Sequence, residues 1–202
     1  MADAFLIIIF QFIILIFSIV IHEVSHGLVA HSLGDPTAKY MGRLTLNPIK
    51  HIDPFGTIIL PLLLFFGTGG RFVIGWAKPV PYDPRYLKNQ RLGQALIALA
   101  GPFSNFIIAL AFGLIWRNGF YLTLIPLIII VNLFLAVFNL IPIPPLDGSK
   151  ILFSILPARL YKIEEFLNQY SLVLIVIFII FASNLLTPFV LSLFKILTGS
   201  IF

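Results

Sequence analysis

His22-Glu23-Val24-Ser25-His26 closes an apolar run that begins at residue 5. Between 5 and 21 only Gln11 and Ser18 are polar, which reads as a membrane span rather than a core helix. Two histidines and a glutamate then fall inside the same uninterrupted helical stretch. Positions i and i+4 share a helix face, so His22 and His26 can present imidazoles to one point, half of a tetrahedral metal site. Glu23 stands about 100° round from His22, beside that point and free to hold a water. A chance H-E-x-x-H on an exposed helix carries little weight. Inside a span, ionisable groups are costly and each needs a partner, which favours a metal over polar residues that merely join helices.

The composition agrees. Hydrophobic residues make up 59% and charged ones 10%, against about 25% charged in soluble domains, and mean hydropathy is +1.06. The chain is expected to be one integral-membrane domain over 1–202. Cysteine is absent, so any metal must use histidine and carboxylate. The net charge of +5 comes from basic residues in loops between apolar runs, which points to membrane topology and away from nucleic acid.

An all-α polytopic membrane protein is expected, with about four transmembrane helices at 5–33, 93–116, 121–141 and 172–194. Gly34, Asp35 and Pro36 stop the first. Residues 42–46 suggest a short strand. The apolar stretch 57–66, broken by Pro61, is too short to cross and predicts a re-entrant or interfacial segment. Residues 71–81 read as extended, and Asp83-Pro84 as a helix cap with proline at the first position. Gly101, Asn105, Ala109 and Gly113 recur at i+4 in the second span, where small residues let helices approach; packing accounts for the glycines and alanine, and Asn105 should bond a neighbour. Asn132, Ala136 and Asn139 share a face of the third. Three prolines between 142 and 145 break the chain before Asp147, and 149–169 reads as an amphipathic surface helix. The 34–93 loop carries eight Lys or Arg and the 142–171 loop three, so both loops, and with them the opening of the site, are expected on the cytoplasmic side.

A catalytic zinc takes three protein ligands and keeps one position open. His31 lies about 140° and 180° round the helix from His26 and His22 and cannot join them. His51, Asp53 and Asp147 remain. Asp53 precedes Pro54-Phe55-Gly56 and suits a turn. Asp147 follows an apolar span in a proline-broken segment, at the membrane face where the first span ends, and is the better choice.

His22-Glu23-x-x-His26-Gly27, Gly101-Pro102-x-x-Asn105, Asn139-x-x-Pro142-x-Pro144-Pro145-Leu146-Asp147-Gly148 and Gly75-Trp76-Ala77-Lys78-Pro79-Val80-Pro81 together resemble the site-2 protease family of intramembrane zinc metalloproteases, over roughly residues 18–150. The resemblance implies one Zn2+ per chain held by His22, His26 and Asp147, Glu23 as general base, and a polar role for Asn139 near the reacting carbonyl, a role for which Asn105 is the other candidate. It also implies a transmembrane protein substrate within the lipid bilayer of the cell membrane. PDZ and CBS segments are absent from these residues. Such a substrate must be unwound, and an extended segment at 72–76 could receive it by strand addition. The competing reading is a membrane metal transporter or metal-binding scaffold, although a transporter more often shows internal repeats.

Overall fold

The computed structural model describes residues 2–68 and 75–199. Among the described residues the structure is helical, with no strand. Helix α1 (Ala2–Ser32) contains the first apolar run and ends as expected before Gly34, whose φ of 105° needs a glycine. A single turn, α2 (Thr37–Tyr40), follows.

The short strand expected at 42–46 does not form. Gly42 turns the chain at φ 61°, and Arg43 folds inward to donate to the carbonyls of Lys50, Lys78 and Pro79. With its side chain anchoring other loops, this stretch runs as turns. Asp53 caps a wide π-type turn, Pro54–Ile59, by accepting from Gly56 N–H at 2.6 Å. That turn runs directly into α3 (Leu60–Thr68). Pro61 brings no N–H for the carbonyls a turn before it, and Gly56 O instead accepts Trp76 N–H at 3.1 Å. Residues 72–74 of the proposed strand-addition segment lie outside the described residues. Asp83 caps the short 3-10 turn Pro84–Tyr86, as its sequence suggests.

Helix α4 (Gln90–Arg117), capped by Asn89, is the centre of the bundle and packs against α1, α5, α6 and α8. Helix α5 (Ile125–Asn139) is shorter than the 121–141 span expected, because residues before Pro126 form a turn and Leu140 ends the helix. Its 15 residues reach about 22 Å, less than the bilayer core. The helix expected over 149–169 is two: α6 (Asp147–Ile155) and α7 (Tyr161–Gln169). Pro157 excludes Leu156 from helical backbone and separates them. Helix α8 (Ser171–Thr198) runs past the expected end and holds Pro188 within it.

By length and composition two helical stretches can cross a membrane, Ile9–Ser32 and Gln90–Arg117. Counting Tyr161–Gln169 and Ser171–Phe181, bent by 72°, as one span makes three. Ala109, Ile125, Ile129, Leu133, Val190 and Phe194 form an apolar core where α4, α5 and α8 meet. The opposite half of α4 faces α1 and α6, and there the packing turns polar.

Candidate metal centre

Ser18, His22 and His26 follow at i+4 on α1 and are all buried, forming one polar row aimed at α4. Each imidazole is held from behind. His22 Nδ1–H donates to Asn105 Oδ1 at 2.6 Å, and His26 Nδ1–H to Ile97 O at 2.6 Å. The orientation of the Asn105 amide is fixed by its other bonds, since Nδ2 donates to Ser18 O and Asn132 Oδ1. Asn132 in turn donates to Ser18 Oγ and Ile128 O. The asparagine chain sets the tautomer of His22 and Ile97 O that of His26, which leaves each Nε2 lone pair pointing the other way.

Both Nε2 atoms meet Asp147, at 3.0 Å from His22 and 3.1 Å from His26 to the same Oδ2. Asp147 opens α6, where the helix N-terminus favours an anion. Gly148 makes that start possible: a Cβ there would lie 2.2 Å from Leu140 O. The Asp147 carboxylate is buried, and its Oδ2 is the oxygen that both imidazoles face. Lys150 Nζ lies 3.4 Å from its other oxygen.

The ligand atoms of His22, His26 and Asp147 all fall within 4.8 Å of one another, the one such group among the described residues. Two imidazole lone pairs facing a carboxylate oxygen are three acceptors converging, an arrangement that a cation relieves. The donor set, two nitrogens and one oxygen, suits zinc.

Space for the imidazoles comes from α4. A Cβ on Gly101 would sit 2.4 Å from His26 Nε2 and 2.5 Å from His22 Nε2. Reading Gly101 as packing alone therefore understates it: the glycine admits the site. Pro102 next to it leaves Ala98 O without its helical N–H, and one residue earlier Ile97 O serves His26.

Glu23 is half-buried, and its Oε2 accepts Val80 N–H at 2.8 Å. The Asn139 amide donates to Leu135 O at 2.9 Å on its own helix. His51 is buried apart, bonded to Thr45 O, and Asp53 serves its cap. Sequence reading missed Ser18, Asn132 and Val80. The i+4 step from Ser18 to His22 was a usable signal for the first; a backbone N–H leaves none.

Two buried histidines on an apolar, membrane-spanning helix, a buried aspartate facing them and a glutamate next to the first histidine define a membrane metalloprotein of hydrolytic type. The profile of Peptidase family M50 matches residues 10–122 and 114–183, and the chain belongs to that family. Its relatives include "Putative zinc metalloprotease YwhC" of Bacillus subtilis (strain 168), 42% identical over 158 residues, covering 72% of this chain and 68% of that one. "Putative zinc metalloprotease MJ0611" of Methanocaldococcus jannaschii is 35% identical, covering 70% and 73%. "Putative zinc metalloprotease Rip2" of Mycolicibacterium smegmatis is 32% identical, and the match spans 51% of its length. No solved structure gives a significant match.

Proposed function

We propose that this chain is an intramembrane zinc metalloprotease that hydrolyses peptide bonds of transmembrane substrate helices. One observation carries the reading: two imidazole Nε2 atoms on the apolar helix α1 converge with the Asp147 carboxylate, and Glu23 is the next residue after His22. His22, His26 and Asp147 would hold the zinc and leave a fourth position open. When bound, zinc supplies a Lewis acid that polarises the scissile carbonyl and lowers the pKa of water.

Glu23 takes the proton of the attacking water and returns it to the leaving amine. Val80 N–H engages its Oε2, which leaves Oε1 for that exchange. Asn139 is the better candidate for the oxyanion, because both N–H groups of Asn105 are committed to Ser18 and Asn132. To serve, Asn139 must release Leu135 O.

The proposed architecture is a single domain over 1–202 with four spans, α5 completing its crossing through the irregular residues on either side. Asp83 N–H donates to Asp35 Oδ2 at 2.7 Å, which supports a segment at 57–66 that enters the membrane and returns to the same face. The basic loops, and with them the opening of the site, would be cytoplasmic. Substrate would unwind before cleavage. Trp76 itself is not open to strand pairing, because its N–H and C=O already bond Gly56 and Thr57.

Zinc analysis and cleavage of a membrane substrate in detergent test the assignment. Glu23→Gln should keep zinc and abolish cleavage. Asp147→Ala should lose both, while Asp53→Ala retains zinc. Zinc lost from Asp53→Ala and kept by Asp147→Ala would overturn the ligand set.

A further inference from the structure

Alternate amides of the extended segment 76–80 donate inward. Trp76 N–H goes to Gly56 O, Lys78 N–H to His51 O at 2.9 Å, and Val80 N–H to the Glu23 carboxylate. The first two recipients are backbone. The third is the side chain assigned to proton transfer.

The segment is fixed at that point from three directions. Pro79 and Pro81 flank Val80 and hold it extended. Arg43, 7% exposed, donates through Nη2 to Lys78 O at 2.7 Å and Pro79 O at 3.2 Å, and through Nη1 to Lys50 O. The ion pairs of the described residues do not include Arg43, so its buried cation is spent on carbonyls. The Val80 side chain seats against α1 at Gly27, where a Cβ would lie 2.7 Å from Val80 Cγ1 and 2.6 Å from Leu44 Cδ2. Gly27 lies one turn beyond Glu23, so a single docking seats the methyls on the glycine and aims the N–H at the carboxylate.

We infer that Val80, through its backbone N–H, and Arg43, through the carbonyls on either side of the Lys78–Pro79 junction, are positioning residues for Glu23. A glutamate has three side-chain torsions, and a carboxylate free to choose among them spends little time aimed at the water. A charge-assisted bond to one oxygen selects one rotamer and presents the other oxygen. The segment thus acts on turnover and neither on metal binding nor on substrate affinity. This rests on the reading of Glu23 as the proton-transfer group.

The N–H can be removed with little other change. Val80→Pro extends a run of prolines in the same backbone conformation and deletes the donor; Val80→Ala keeps the donor and trims the methyls. On zinc-loaded full-length protein with a membrane substrate, Val80→Pro should lower kcat about 10- to 100-fold relative to Val80→Ala, with KM and zinc content unchanged. Arg43→Ala should lower kcat in the same way and Arg43→Lys should recover part of it. That pair decides the matter if Val80→Pro does not fold. Equal kcat for Val80→Pro and Val80→Ala, or Arg43→Ala acting on KM or zinc content alone, overturns the inference. Glu23→Gln, run beside them, separates the two levels: if it stays active, the reading of Glu23 fails; if it is dead while Val80→Pro is not impaired, only the positioning fails.

Discussion

The two halves of α4 present the same row of small residues to opposite kinds of neighbour. Toward its start, Gly101 meets imidazole nitrogens and Asn105 meets His22. Toward its end, Ala109 sits in the apolar core with Leu133 and Phe194, and Gly113 meets Leu197. An i+4 spacing of small side chains states only that something approaches closely. Whether the approaching group is a ligand or a leucine is decided by the facing helix, here α1 against α8.

The sharpest way to break this contrast is one methyl at each end. Gly101→Ala puts a Cβ within 2.5 Å of both ligand nitrogens, so the imidazoles must move and the donor set opens. Zinc affinity should fall beyond the ~100-fold that losing an outer partner costs, with the bundle still folded. Gly113→Ala meets Leu197 Cβ at 2.9 Å and should cost about 1–3 kcal/mol of stability while keeping zinc. Zinc competition and thermal unfolding of the two variants check it; equal zinc loss in both would erase the distinction.

Asn105→Ala probes the border between the halves. It leaves His22 Nδ1–H, Ser18 O and Asn132 Oδ1 without their partner and frees the imidazole to rotate. Zinc should bind about 10- to 100-fold more weakly. Wild-type affinity would mean that the tautomer of His22 is set elsewhere.

These residues also mark what could be read without coordinates. His22, His26 and the position of Glu23 follow from helical periodicity alone, and Asp147 from the cost of a carboxylate in a proline-broken segment near the membrane. Their meeting with Asp147 Oδ2 needed α6 to fold back onto α4, which periodicity does not encode. Arg43 is one of the eight basic residues counted in the 34–93 loop, and nothing in the sequence sets it apart; here it is buried among carbonyls. Pro157 carried its signal openly, and the amphipathic pattern on either side masked it. Asn139 was legible as a residue of the resemblance, but its bond to Leu135 O belongs to rotamer choice.

The smallest effect should come from Asn132→Ala, and its size locates the edge of the site. Asn132 lies on α5, one bond further from the metal than Asn105, and its Oδ1 accepts one of the two Asn105 N–H groups. Without it, Asn105 keeps Ser18 O at 3.2 Å, so the amide stays oriented and Oδ1 still receives His22. The variant also frees Ser18 Oγ, but a hydroxyl can turn to a carbonyl of its own helix. A hydrogen bond between membrane helices is worth about 0.6 kcal/mol, so zinc should weaken only roughly threefold. Chelator competition on Asn132→Ala and Asn105→Ala side by side gives the gradient. If Asn132→Ala loses as much zinc affinity as Asn105→Ala, the two asparagines and Ser18 act as one unit, and the site reaches as far as α5.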